Sequence, residues 1–311
     1  MSIAQREFSG EADIQAMMAL ARLAPRENLH IIDLPYRLSS WALDHPGNVG
    51  MWVNADDQLL AWAVLQTPFW TIDYVCHPDA GEELHRRILA WADARALAVL
   101  DTPAGHPLWF VNVFANQAGR IRDLEGAGFA PQADVGEDSW SKVLLSRPAE
   151  MPVPDYSLPA GFDIRPLSGE EEVDAYVQLH RAVFGSRNMT VAWRERMLRR
   201  PEYQADLDLV VVAPDGHLAA FCVCWLDTRL PEGPGGQVEP LGVHEGFRYL
   251  GLGQAILSEG LRRLLLRGAR MVYVETDRHR NAALRLYEEV GFRPMHEVLV
   301  YRKDYEAQEK G

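Results

Sequence analysis

The stretch with the most chemistry in its spacing is Arg248-x-x-Gly251-x-Gly253, which follows an apolar run over 237–243 and leads at once into an amphipathic segment from about 251 to 267. Glycines at those positions let the backbone turn with several amides pointing inward, and a helix starting there adds about half a unit of positive charge. Such a nest suits a pyrophosphate, although the same spacing also makes an ordinary strand-to-helix turn. It is not the loop of a dinucleotide-binding βαβ unit, where the glycines follow the first strand and an acidic ribose ligand comes about twenty residues later. A Walker lysine is absent too. Cys76 stands alone, while Cys222 and Cys224 lie two apart in one apolar run, with no histidine or cysteine nearby to complete a zinc pattern. All three read as small core residues, and no metal site is expected.

The elements that must carry this loop recur twice. Residues 146–161 hold four prolines, which exclude helix interior and central strand. The division is therefore a first domain over 1–147, a linker over 148–160 and a second domain over 161–311. The second reads as strand 162–167, helices around 173–184 and 191–198, and a hairpin of 207–213 with 219–226. Strand 237–243, helix 251–267, strand 270–275, helix 281–290 and strand 298–302 complete it. The first gives the same order: helices over 13–23 and 38–43, hairpin 50–53 with 58–65, strand 70–76, helix 82–96, strand 109–114, a helix ending at Gly128-Phe129, and strand 140–145. Order and periodicity together predict α+β architecture, a mixed sheet with packed helices, twice over.

The loop and helix, with the downstream run Ala283-Leu284-Arg285-Leu286-Tyr287-Glu288-Glu289-Val290-Gly291-Phe292, resemble the two signatures of the GNAT superfamily of N-acetyltransferases. The resemblance covers the second domain fully and the first in outline, and implies two tandem GNAT-like folds. It implies acetyl-CoA as co-substrate, its pantetheine beside the strand at Leu241, Gly242 and Val243. Its pyrophosphate would lie on Arg248, Tyr249, Leu250, Gly251, Leu252, Gly253 and Gln254. It further implies direct attack of an amine on the thioester, with Tyr287 as the acid for the departing thiolate. For the base the candidates are Glu239 and Glu275, with His244 behind. Relatives often carry glutamate where this chain has Gln237, so Glu239 is a neighbour inferred from chemistry, and a solvated or hydrogen-bonded carboxylate is an equal reading. Asn281, one residue after the position where relatives place an asparagine, is expected to cap its helix and to touch the pantetheine arm. Pro240, without an amide donor, implies either a bulge or a plain edge-strand proline.

At the matching place the first domain reads Pro78-Asp79-Ala80-Gly81-Glu82-Glu83, three carboxylates where a polyanion would sit, and is expected not to catalyse transfer. Its tryptophans, among them Trp41, Trp52, Trp62, Trp70, Trp91, Trp109 and Trp140, fit core packing. The 311 residues carry a net charge of -13 with 48% hydrophobic residues. That balance disfavours nucleic acid and anionic membranes as partners, and the lack of a basic start or long apolar run predicts a cytoplasmic protein. The expected activity is acetyl transfer to the primary amine of a small molecule. A protein amine, or a non-catalytic acyl-CoA-binding module, is the alternative.

Overall fold

The structure, a computed structural model, describes residues 3–134 and 141–306; Trp140 lies outside them. The chain runs through β1 (Ala4–Arg6), α1 (Glu11–Arg22), α2 (Leu34–Arg37), β2 (Val49–Val53), β3 (Leu59–Gln66), β4 (Thr71–Cys76) and α3 (Glu82–Val99). Next come β5 (Leu108–Phe114), α4 (Ala118–Gly126), β6 (Ala130–Pro131), β7 (Lys142–Pro148), β8 (Asp163–Pro166), α5 (Val173–Phe184) and α6 (Val191–Leu198). The last are β9 (Asp208–Val212), β10 (Leu218–Asp227), β11 (Gly235–Val243), α7 (Leu252–Leu266), β12 (Met271–Asp277), α8 (Asn281–Glu289) and β13 (Arg293–Asp304).

Two compact units result, with boundaries other than those expected at 147 and 161. Unit 1 comprises Met1–Ile31, Ser40–Val143 and His296–Gly311; unit 2 comprises Ile32–Ser39 and Leu144–Met295. The last strand, expected in the second domain, pairs antiparallel with β5 of unit 1, Val298 opposite Phe114 and Asp304 opposite Leu108. In unit 2 the place beside β12 belongs to β7, from before the proline-rich segment. Apolar alternation identifies both runs as strands but does not encode which sheet they join. The expected helix over 38–43 is also displaced: α2 ends at Arg37, followed by a 3-10 turn over Trp41–Asp44.

In unit 1 the sheet order is β1-β2-β3-β4-β5-β13. Its core gathers Ile88, Leu89, Ala92 and Ala96 from one face of α3, Ala61, Ala63 and Leu65 from β3, and Trp109 and Val111 from β5. Trp52, Trp62 and Trp109 are buried as expected, whereas Trp70 is 42% exposed and stacks on His106 at 4.0 Å.

Unit 2 has the order β7-β12-β11-β10-β9-β8. Helix α7 buries Ala255, Ile256, Leu261 and Leu264. Its Gly260 lets the helix come close to the sheet, because a Cβ there would lie 2.8 Å from Cys224 Sγ and 3.3 Å from Cys222 Sγ. Both cysteines are buried and free, so the core reading of this pair holds. Leu34, Tyr36 and Leu38, all almost fully buried, bring an early piece of the chain into this unit. Among the described residues no helix is long and apolar enough to cross a membrane.

Candidate active site

The site begins where β11 and β12 part. They pair in parallel only over Gly235–Met271, Gly236–Val272 and Gln237–Tyr273, although β11 continues to Val243 and β12 to Asp277. Beyond Gln237, β11 stays paired on its other side, with Cys222 opposite Leu241, Phe221 opposite Gly242 and Ala220 opposite Val243. The edge that turns towards β12 in this half is thus held in strand geometry, available to an extended ligand. Gly242 is demanded by packing here, since a Cβ would meet Val183 Cγ1 at 2.5 Å and Phe221 Cζ at 2.8 Å.

Pro240 sits in a bulge. Cys222 opposes Leu241 while Cys224 opposes Val238, which leaves Glu239 and Pro240 together opposite Val223. The Glu239–Pro240 peptide is cis. Trp225, 2% exposed and one strand away, donates its indole N–H to the Glu239 carbonyl at 2.7 Å. Nothing in the sequence pattern pointed to Trp225, because an apolar strand position reads only as core.

After β11, His244 caps a short 3-10 turn, its Nδ1 accepting from the Gly246 amide at 3.1 Å. Tyr249 takes φ +64° and Gly251 φ +77°, so the backbone reverses twice before α7 starts at Leu252. The first amides of α7 have no intrahelical acceptor and face outward with the positive end of the helix dipole. Together with α8 this loop walls a cleft of about 810 Å³. Leu241, Gly242, Val243, Arg248, Tyr249, Gly251, Leu252, Gly253, Gln254, Asn281 and Tyr287 all line it. Leu250 does not, lying 43% exposed, and Glu239 and Glu275 are half-buried on their strands outside that lining. Cationic side chains at the rim, Arg248, Arg280 and Arg285, oppose the acidity of the chain at the place where a polyanion would lie. Asn281 does not cap: Arg280 holds the cap position, without a side-chain bond, and Asn281 is the first helical residue. The extra residue before the helix shifts the asparagine past the point where its side chain reaches back to the first-turn amides.

Tyr287 is 6% exposed, its ring edge-on to Phe292 at 5.8 Å. Burial, and next the charge of Glu239, push its hydroxyl well above the ordinary phenol range; Glu275 contributes less. The phenol is therefore protonated at neutral pH. The same Glu239 charge raises Tyr36 and Tyr176, behind burial as the main cause in both. Tyr36 stacks on Trp193 at 5.1 Å and accepts the Trp193 indole N–H on its carbonyl at 3.0 Å. Next to it Arg194 lies 3.6 Å over the Tyr176 ring, fully buried and ion-paired with Asp208, to which the Tyr203 hydroxyl also donates at 2.7 Å.

The corresponding edge in unit 1 is filled by its own side chains. Strands β4 and β5 pair only at Thr71–Phe110. Gln117 Oε1 accepts from the Phe114 amide at 3.0 Å, and Arg120 lies 4.2 Å over the Tyr74 ring and donates to its hydroxyl at 3.1 Å. Both Gln117 and Arg120 also donate to the Glu27 carbonyl, at 2.7 and 3.0 Å. Helix α3 opens with Glu82 and Glu83 and no left-handed glycine, its cap Gly81 having φ −72°. Among the described residues no cluster of His, Cys, Asp or Glu could hold a metal ion.

A splayed strand pair, a glycine nest at a helix start and a tyrosine on the facing helix define an acyl-CoA-type acetyltransferase fold, and residues 174–292 match the Acetyltransferase (GNAT) family. The match lies within unit 2 and spans 119 of the 311 residues, while in fold the whole chain is similar to a tandem arrangement of that kind. It is similar to the mycothiol acetyltransferases of Salinispora arenicola, 34% identical over 48% of this chain and 50% of that one, and of Thermobispora bispora, 28% identical over 74% and 75%. The chain thus spans about half the length of the first relative and three quarters of the second. In fold it is similar to a GCN5-related N-acetyltransferase from Sphaerobacter thermophilus (TM-score 0.65, 20% identity, 97% and 95% of the two chains). A tandem GNAT protein from the clavulanic acid biosynthesis pathway gives TM-score 0.65 at 15% identity over the whole of both chains.

Proposed function

We propose that the protein transfers the acetyl group of acetyl-CoA to the primary amine of a small molecule, in unit 2 alone. The observation that carries this reading is the cleft itself: an unpaired strand edge at Leu241–Val243, the nest at 248–254 and Tyr287 face one space large enough for a cofactor-sized ligand. Relatives bearing the name mycothiol acetyltransferase support a small-molecule acceptor.

In this mechanism the pantetheine arm pairs with Leu241 and Val243, and the amides of 249–254 take the pyrophosphate. Asn281 stands beside that arm. Glu239 removes a proton from the ammonium of the acceptor, freeing the lone pair that attacks the thioester carbonyl carbon. As the C–S bond breaks, Tyr287 gives its proton to the departing thiolate; the acylated nitrogen then sheds its second proton, which restores the Tyr287 phenol, and Glu239 passes the first to solvent. Glu239 is preferred to Glu275 because it lies on β11, two residues before the strand edge proposed to pair with pantetheine. Unit 1 is proposed to bind no acyl-CoA, since Gln117 and Arg120 occupy its strand split.

The test is release of free CoA thiol from acetyl-CoA across glucosamine, kanamycin, spermidine and tyramine, with calorimetric titration of CoA. Amine-dependent release and one CoA per chain are expected. Tight CoA binding without any amine-dependent release would turn the reading into that of a sensor, and two equivalent sites would refute the assignment of unit 1.

A further inference from the structure

The bulge at Glu239–Pro240 interrupts β11 where the strand must carry the candidate base. A bulge leaves backbone groups out of the ladder, and a buried carbonyl without a donor is costly. In this protein a side chain, the indole of Trp225, donates to the Glu239 carbonyl inside the bulge. We infer that Trp225 is a positioning residue for acetyl transfer: its N–H, bonded to the Glu239 carbonyl, fixes the bulge and with it the direction of the Glu239 carboxylate. The inference rests on the proposed role of Glu239 as base.

The ladder separates this effect from cofactor binding. Leu241, Gly242 and Val243 are paired with Cys222, Phe221 and Ala220, so the edge offered to pantetheine is held without the indole. On the other side of the bulge, Gln237 is paired with both Trp225 and Tyr273. Only Glu239 and Pro240 lie between the two held stretches, and Pro240 has no amide to contribute. Losing the indole N–H therefore loosens the base while leaving the nest and the pantetheine edge in place. The Trp225 ring, almost fully buried and itself on β10, is too constrained to follow the carbonyl elsewhere.

The experiment is a double-mutant cycle on Trp225→Phe and Glu239→Gln, read as kcat with the amine of the panel above that releases thiol fastest, and with water as acceptor when amine is left out. Trp225→Phe is expected to lower kcat about 10- to 30-fold with KM for acetyl-CoA unchanged within about twofold. In the Glu239→Gln background it is expected to have no further effect beyond about twofold. Because Phe leaves a gap, the cycle is repeated with 3-benzothienylalanine at 225, which puts sulfur in place of the indole N–H at nearly equal shape and is expected to behave alike. An additive loss in the Glu239→Gln background, a rise in KM equal to the fall in kcat, or wild-type turnover with the thienyl analogue overturns the inference. Glu239→Gln with wild-type kcat instead removes Glu239 as the base, a separate failure that takes the inference with it.

Discussion

Gly251→Ala puts the proposed anion nest to a quantitative test. Gly251 has φ +77°, and a Cβ built there meets no atom within 4 Å, so the substitution introduces no clash and its whole cost is conformational. For an L-residue the left-handed region costs about 1–2 kcal/mol. Two outcomes divide that cost. If the loop keeps its shape, stability to urea drops by about 1–2 kcal/mol with CoA affinity nearly unchanged. If the free loop relaxes, stability is kept and binding must restore the left-handed turn, which weakens CoA about 5- to 30-fold. Urea unfolding of the ligand-free protein and calorimetric titration with CoA measure the two parts, whose sum is expected to be about 1–2 kcal/mol. Tyr249→Gly is the reverse control. Tyr249 already holds φ +64° with a side chain, fully exposed, so relief of strain offsets the extra chain entropy of glycine and stability is expected to change by less than about 1 kcal/mol. If Gly251→Ala leaves both unfolding free energy and CoA affinity as in the wild type, the left-handed turn does not build the nest and the anion assignment to this loop fails.

Tyr287→Phe is expected to lower kcat about 100-fold with little change in the affinity for acetyl-CoA, and full turnover with a good amine would end the acid assignment. A stability effect of pH is expected at His180, which is 7% exposed, packed among Tyr176, Phe184 and Phe221, with both ring nitrogens lacking a hydrogen-bond partner. Burial first, then Arg194 and Arg181, pull its pKa down to about 3 from 6.5. The folded state therefore binds fewer protons than the unfolded state between those values, and stability present above the unfolded pKa is lost as pH falls towards about 3. Between pH 7 and 4.5 the wild type is expected to lose up to about 3 kcal/mol more than His180→Phe in urea unfolding, and equal losses would show that His180 does not titrate with unfolding.

The turn at 248–254 was legible because its backbone form is local: glycine at 251, a helix signal behind it and a strand before it need no distant partner. The same holds for the repeated order of elements and for the acidic start of α3. Pro240, lacking an amide, read equally as a bulge or a plain edge-strand proline, and the pairing of β10 with β11 shows the bulge. What periodicity did not contain is pairing. Val298 to Arg302 alternates as any strand does, and only packing places it in unit 1; Tyr36 reads as a core aromatic, and only the tertiary fold brings it to Trp193. Trp225 was invisible for the same reason, its partner being a backbone carbonyl fourteen residues away across a hairpin. Asn281 was misread as a cap because one additional residue separates it from the position it would need.

The assignment of His296–Gly311 to unit 1 and of Leu144–Met295 to unit 2 has a consequence for synthesis of the chain. Unit 1 lacks the strand that pairs with β5 until residues 298–304 have left the ribosome, although its other strands emerge first. It cannot reach its final form during translation in the usual order, the earlier half before the later. Unit 2, by contrast, has all its strands once residue 277 is out. Cutting the gene at the proline-rich segment would accordingly yield two polypeptides, each short of a strand that the other encodes. Recovery of soluble protein from them is expected only when both are made in the same cell.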